Sequence, residues 1–297
     1  VPAGLLHEGE NQITIRAVCN NGDGGVTLGK PFRLFSERGA VELGGIWKCR
    51  IGMRAPPCPA AFFIQRQPAG LFNAMIAPLL AYPLAGVLWY QGESNDGRPG
   101  EYAPLFAALI KDWRRYKRQD DLPFLFVQLP LFGMSGANTE SSSWAIIREA
   151  QAAALALPAT GMAAALDLGE WNDLHPVNKK GVGERLFLAA ERAVFNSRNT
   201  APGPVYRTLE RRNGKLLLFF DNCGAGLRAS ERPFVSIAAA GVLTRLPADI
   251  EGPDCLSVDI SGIDRPERLY YAWAGNPQDR QLYNAEGLPV IPFRVEI

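Results

Sequence analysis

A polar run directly after a short apolar one stands out first. Leu84-Ala85-Gly86-Val87-Leu88 leads into Trp89-Tyr90-Gln91-Gly92-Glu93-Ser94-Asn95. The apolar half reads as a buried strand, and Gly92 permits a sharp turn at its end. Gln91 carries an amide N–H of the kind that stabilises a developing oxyanion, or else it ties two loops together. Glu93 would orient a neighbouring group or pair with an arginine. The second segment is Asp173-Leu174-His175-Pro176, which follows the apolar run Met162-Ala163-Ala164-Ala165-Leu166 and holds one of two histidines in the chain. Imidazole, with an ordinary pKa of about 6.5, is the natural general base near neutral pH. Asp173 would accept the other ring N–H and fix the tautomer; in the competing reading His175 caps the helix after Pro176. Polar groups past the carboxyl ends of buried strands are where α/β folds place ligand chemistry. Gln91, Gly92, Glu93 and His175 are therefore expected in one cleft, as the oxyanion donor and general base of a hydrolase.

Such residues need a scaffold, and three segments offer one. Residues 1 to 45 are rich in glycine and β-branched residues; Asn11 to Val18 alternates at period two and Asn20 to Gly25 is a turn cluster, which predicts a β-module. Between 46 and 198, strands and helices alternate. A short helix is expected at Asn73–Leu80. Tyr102, Leu105, Phe106, Leu109, Ile110 and Trp113 have the spacing of an amphipathic helix. Phe124 to Leu129 reads as a strand, Trp144 to Leu157 as a helix, Gly161 to Leu166 as a strand, and Asn178 to Phe195 as a helix. That order predicts an α/β core with a parallel sheet flanked by helices on both faces. From 199 to 297 the pattern returns to β, with Leu216 to Phe220 and Leu269 to Trp273 as strands.

Bulk properties narrow the function classes. The 297 residues carry a net charge of +1, with 47% apolar and 21% charged. Neither nucleic acid nor an anionic membrane is implied as a partner, and no apolar run reaches the roughly 18 residues of a membrane span. The cluster Arg114, Arg115, Lys117 and Arg118 reads as the solvated end of a helix, where cations suit the dipole. Five cysteines, Cys19, Cys49, Cys58, Cys223 and Cys255, include no C-x-x-C pair, so free thiols are expected. Ser135 and Ser141 to Ser143 lie in a loop read as solvated or lid-like. Arg148 and Glu149 would face the site or form a buried pair.

The segment from Asn73 to Ala190 resembles the sialate O-acetylesterase family, in the SGNH-hydrolase superfamily of carbohydrate esterases. The matching stretches are Tyr90 to Asn95, Leu109 to Arg114, Pro123 to Gln128, Arg148-Glu149-Ala150-Gln151 and His175 to Lys180. The tail, Tyr271 to Ala274 and Leu282 to Pro289, is similar to the family's C-terminal β-domain, and Val1 to Leu6 resembles the sugar-binding β-sandwich inserted into family members. The resemblance implies a serine-type esterase that releases acetate from O-acetylated carbohydrate through an acyl-enzyme, with no metal and no organic cofactor. It makes Gln91 part of the oxyanion hole and His175 the catalytic histidine. The superfamily spaces its aspartate three residues before that histidine; Asn172 stands there, so Asp173 and Asp167 both remain as partners. A periplasmic or secreted setting is compatible with it.

The family's nucleophile is a serine in a Gly-Gln-Ser-Asn-Met segment on the first strand, and no such segment occurs here. Gly92-Glu93-Ser94-Asn95 belongs to a later block, and Ser94 does not sit in a G-x-S-x-G elbow because Asp96 holds the last position. The chain is thus expected to be the C-terminal portion of an esterase, its nucleophile in a preceding segment or a separate chain. The alternatives are a non-catalytic carbohydrate-binding remnant, or Ser94 as an in-chain nucleophile.

Overall fold

In the computed structural model, which describes residues 4–18, 30–36, 39–53, 67–195, 197 and 203–297, the chain divides into two units, Val1–Ala60 and Ala61–Ile297. The first contains a hairpin of β1 (Arg33–Ser36) and β2 (Gly39–Glu42). The alternation at Asn11 to Val18 forms no strand among the described residues, and every position there except Ile13 is exposed. Period-two patterning stabilises a strand only against a partner and a buried face. The expected turn at Asn20 to Gly25 lies outside the described residues.

The second unit is built on a parallel sheet of β3 (Val87–Trp89), β4 (Phe124–Val127) and β6 (Thr160–Ala163), in the order β3-β4-β6. All four residues of β4 are buried, as an unbroken apolar run in a central parallel strand requires. Among the described residues three α-helices accompany it: α1 (Tyr102–Lys117), α2 (Ser143–Ala153) and α3 (Lys179–Ala193). One face packs on α1 and α2 through Phe106, Ile110, Trp144 and Ile147. The Phe106 ring stands edge-on to Phe126 at 5.0 Å, a geometry that adds about 0.5–1.5 kcal/mol to the burial itself. The other face packs on α3, where Val182 and Leu186 meet Val127 and Ala165. Two helices have side-chain caps: Ser142 Oγ accepts from the Ala145 N–H at 3.3 Å and Asn178 Oδ1 from the Gly181 N–H at 3.1 Å. The short helix expected near Asn73 is a π-type turn, Phe72–Ile76, running into a 3-10 turn, Ala77–Leu79.

Beyond α3 come β7 (Val205–Arg212), β8 (Lys215–Asp221), β9 (Leu227–Ala229), β10 (Phe234–Ala239), β11 (Val242–Ile250), β12 (Cys255–Asp259), β13 (Arg268–Tyr271), β14 (Asn276–Pro277), β15 (Leu282–Asn284) and β16 (Phe293–Glu296). Seven of these form one antiparallel sheet, β16-β13-β10-β11-β12-β8-β7. The fold is therefore mixed, a parallel sheet beside a large antiparallel one, and the two cores interlock. Leu166, just after β6, is buried among the antiparallel sheet's residues, while Ile291 packs with the parallel sheet.

Polar residues make the same joint, which corrects several expectations. Arg148 is fully buried and pairs with no carboxylate among the described residues; its guanidinium donates to Leu129 O (2.8 Å), Pro130 O (2.6 Å), Ala274 O (2.7 Å) and Gly275 O (2.8 Å). Glu149 pairs with Arg294 instead, at 2.8 Å. The serine-rich loop is anchored: β5 (Ser135–Gly136) pairs with β14, and buried Asn138 accepts from the Trp273 N–H at 2.6 Å and donates to Ser236 Oγ at 2.9 Å. In the basic cluster, Arg114 is buried and donates to Leu122 O at 3.1 Å. Lys117 Nζ reaches Leu79 O and Tyr82 O at 2.7 and 2.6 Å. These cations satisfy loop carbonyls, a demand that charge patterning alone does not reveal.

Candidate active site

The β3–β4 ladder ends at Trp89 opposite Phe126, and the β4–β6 ladder at Val127 opposite Ala163. Because the sheet is parallel, Gln91 and the loop from Leu166 to Asn178 leave at the same edge, on either side of β4. Tyr90 joins the two sides. Its ring packs against the cluster of Val127, Ala165 and Val182, and Lys179 Nζ sits 5.0 Å from the ring centroid. The first residue of α3, four beyond His175, thus touches the residue immediately before Gln91.

Gln91 is partly buried. Its Nε2 donates to Asn95 Oδ1 at 3.0 Å, within its own turn, and its carbonyl accepts from the Tyr102 hydroxyl at 2.9 Å and from Gln151 Nε2 at 3.2 Å. Gly92 is buried; a β-carbon there would lie 3.2 Å from Leu129 Cδ1, 3.3 Å from Gln151 Nε2 and 3.3 Å from Ile147 Cγ2. Glu93 opens a 3-10 turn, Glu93–Asn95, and lies near two tyrosines. Burial pushes the Tyr90 and Tyr102 hydroxyls up to about 12, and the Glu93 charge adds to both shifts. Ser94 is exposed, and Asp96 accepts from the Ser143 hydroxyl.

The histidine loop is braced from within. Glu170 and Asp173 form an isolated bridge, Asp173 N–H to Glu170 O at 3.3 Å, with Trp171 exposed in the turn between them. Glu170 Oε1 accepts from the Val177 N–H at 3.0 Å. Asp173 Oδ1 accepts from the backbone N–H of His175 at 2.9 Å, so it holds the main chain at His175. The His175 side chain is exposed. Asp167 is engaged elsewhere, chelated by Arg185 with Nη2 to Oδ2 at 2.8 Å, and Arg185 also donates to Ala164 O at 2.7 Å. Gly169 lets the loop lie on the segment after β4, since a β-carbon there would stand 2.2 Å from Leu131 O. Tyr102, Gln151, Arg185 and Gly169 escaped the sequence reading. Gln151 did leave a signal: a polar residue four after Ile147 on the apolar stripe of an alanine-rich helix.

Comparison with known proteins draws on the same residues. Residues 65–190 match the family model of the carbohydrate esterases described as sialic acid-specific acetylesterase. The mouse sialate O-acetylesterase is 37% identical over 76% of this chain and 47% of its own length, and the rat one is 28% identical over 91% and 59%. The crystal structure of a carbohydrate acetylesterase from Xanthomonas citri superposes with a TM-score of 0.71 at 40% identity, covering 76% of this chain and 53% of that one. The chain belongs to the sialate O-acetylesterase family. It spans about half the length of the curated relatives it matches. Within the family match fall Gln91, Asp173, His175, Tyr102 and Gln151.

Proposed function

We propose that this chain supplies the general base and part of the oxyanion hole of a serine-type carbohydrate O-acetylesterase. Residues 46–198 would be its SGNH-like α/β core, 1–45 a sugar-binding β-module and 199–297 a C-terminal β-domain. His175 takes the proton of an attacking serine and the Gln91 amide faces the tetrahedral oxyanion, while Gly92 gives the turn beneath it and Glu93 orients its neighbours. Collapse breaks the ester bond, His175 returns the proton to the departing sugar oxygen, and water hydrolyses the acetyl-enzyme by the same route. Asp173 acts through the main chain, holding His175 in place. The observation that carries the reading is the Tyr90–Lys179 contact, which draws the Gln91 turn and the His175 loop to one sheet edge.

The serine is assigned to a segment other than those carrying Gln91 and His175. Among the described residues β3 pairs on one side only, and Leu88 on it is 67% exposed. An edge of that kind accepts one more parallel strand, and a serine at the strand's end would enter the same cleft. The test is hydrolysis of O-acetylated sialic acid and of an aryl acetate by protein made from the complete coding sequence. Turnover abolished by His175→Ala supports the esterase. Sugar binding without turnover supports a non-catalytic binding protein, and turnover that disappears only with Ser94→Ala moves the nucleophile into this chain.

A further inference from the structure

Gln91 lies two residues beyond the last ladder pair of β3, so the sheet offers its carbonyl no partner. Two side chains take that place. Gln151 on α2, with no exposed surface, inserts its carboxamide between the diverging strand ends. Its Nε2 donates to Gln91 O at 3.2 Å and Val127 O at 3.3 Å, and its Oε1 accepts from the Leu129 N–H at 2.9 Å. Both amide hydrogens and the oxygen are spent on main chain, and the carboxamide acts as one more peptide unit of the ladder. Tyr102, 3% exposed, brings its hydroxyl to the same Gln91 carbonyl at 2.9 Å.

A carbonyl holding two donors is fixed in direction, and with it the angle at which the Gln91 side chain leaves the backbone. Asn95 Oδ1 then accepts one of the two Nε2 hydrogens at 3.0 Å, which orients the other. Gly92 leaves no slack, because its missing β-carbon would press on Gln151 Nε2, Leu129 and Ile147.

We propose that Gln151, Tyr102 and Asn95 are positioning residues that set the Gln91 amide to receive the oxyanion, with the Gln151 carboxamide bridging the splayed ends of β3 and β4. The proposal rests on the esterase reading of Gln91. A group that acts only when the oxyanion forms alters kcat and leaves KM nearly unchanged.

Three of the four variants change a single heavy atom. Tyr102→Phe keeps the ring against Phe106, 5.4 Å away, and removes one donor to Gln91 O; kcat on an aryl acetate should fall about 10- to 100-fold with KM within about twofold, less than the full loss of an oxyanion donor. Asn95→Ala should fall similarly, and Asn95→Asp, which keeps the acceptor, should recover most of it. Gln151→Glu keeps the shape but tests the protons. Its carboxyl, when protonated, can still donate to Gln91 O; when ionised it faces two carbonyl oxygens. The variant's kcat should therefore gain a descending alkaline limb that the parent protein lacks. A merely structural role for Gln151 predicts the parent's pH profile at reduced stability.

A second readout needs no turnover. The Gln91 side-chain NH2 resonances, assigned by their loss in Gln91→Leu, should move toward free-amide positions in Tyr102→Phe and Asn95→Ala. If the unsubstituted protein hydrolyses no acetate, the esterase reading fails while these resonances still decide the positioning. Resonances that stay in place, or an active protein whose kcat is indifferent to Tyr102→Phe and Gln151→Glu, would overturn the proposal.

Discussion

Replacing Arg148 by methionine fills nearly the same volume and removes four donors at once. Pro130 O keeps the Trp144 indole N–H at 2.8 Å, and Gly275 O keeps the Phe132 N–H at 3.1 Å. Leu129 O and Ala274 O have no other donor among the described residues. Two buried carbonyls left unpaired cost about 1–3 kcal/mol each, so about 2–6 kcal/mol together. The opposing effect is relief from burying a cation: desolvation pulls the guanidinium down to about 9, and it still carries its charge at neutral pH. A buried ion pair can be exchanged for apolar groups at little loss because both partners leave together. Here the acceptors are main-chain oxygens that no side-chain substitution removes, so the loss prevails. A net destabilisation of about 2–4 kcal/mol lowers the midpoint of a unit this size by roughly 5–15 °C. Thermal unfolding by circular dichroism, with urea titration as a check on the m-value, measures it. A midpoint within about 2 °C of the parent's would refute the assignment of Arg148 as the tie between the two sheets.

Further outcomes are expected elsewhere. His175→Ala should lower kcat by about a thousandfold or more, measured on an aryl acetate. Asp173→Asn, which keeps an oxygen for the His175 N–H, should retain most activity where Asp173→Ala does not; a thousandfold loss in Asp173→Asn would instead make Asp173 the partner of the imidazole ring. Gly169→Ala places a β-carbon 2.2 Å from Leu131 O, and should cost activity and about 1–3 kcal/mol of stability; a parent-like urea midpoint would show that the loop yields. Alkylation at pH 7.5 followed by mass spectrometry should modify exposed Cys49 but spare Cys223 and Cys255 in the native state. Burial pushes the Cys223 thiol up to about 11, with nearby Asp254 adding to the shift. Trp171, 43% exposed in the turn before His175, should stack on a sugar ring; Trp171→Ala then raises KM for an acetylated sugar and leaves the aryl acetate unchanged.

What the sequence discloses follows from the range of the forces involved. The run Phe124 to Val127 is readable as a strand because burial on both faces admits only apolar residues, and α1 because Tyr102, Phe106 and Ile110 recur at one face. The common edge of Gln91 and His175 is legible for a related reason, since β-α-β order forces successive parallel strands to end on the same side. Asn11 to Val18 misleads because alternation describes a surface, and a strand also needs a partner. The bond from the His175 N–H to Asp173 Oδ1 is hidden in the sequence because a turn decides whether that oxygen meets the ring or the main chain of a residue two positions on. Arg148, Arg114 and Lys117 look like surface charge in any local window. Their acceptors are carbonyls, which every residue type carries and no motif marks.

Arg148 also imposes an order on synthesis. Two of its four acceptors, Ala274 and Gly275, lie 126 and 127 residues further along the chain. At about 5–20 residues per second, a ribosome delivers them roughly 6–25 s after Arg148. Until then the nascent α/β layers must shelter a guanidinium with half of its hydrogen bonds unmade, and the Leu166 side chain has no core to enter. Folding of the parallel-sheet core on the ribosome is thus held open until the last strands emerge. A chain cut anywhere before Ala274 should persist as a chaperone client rather than as a smaller folded protein.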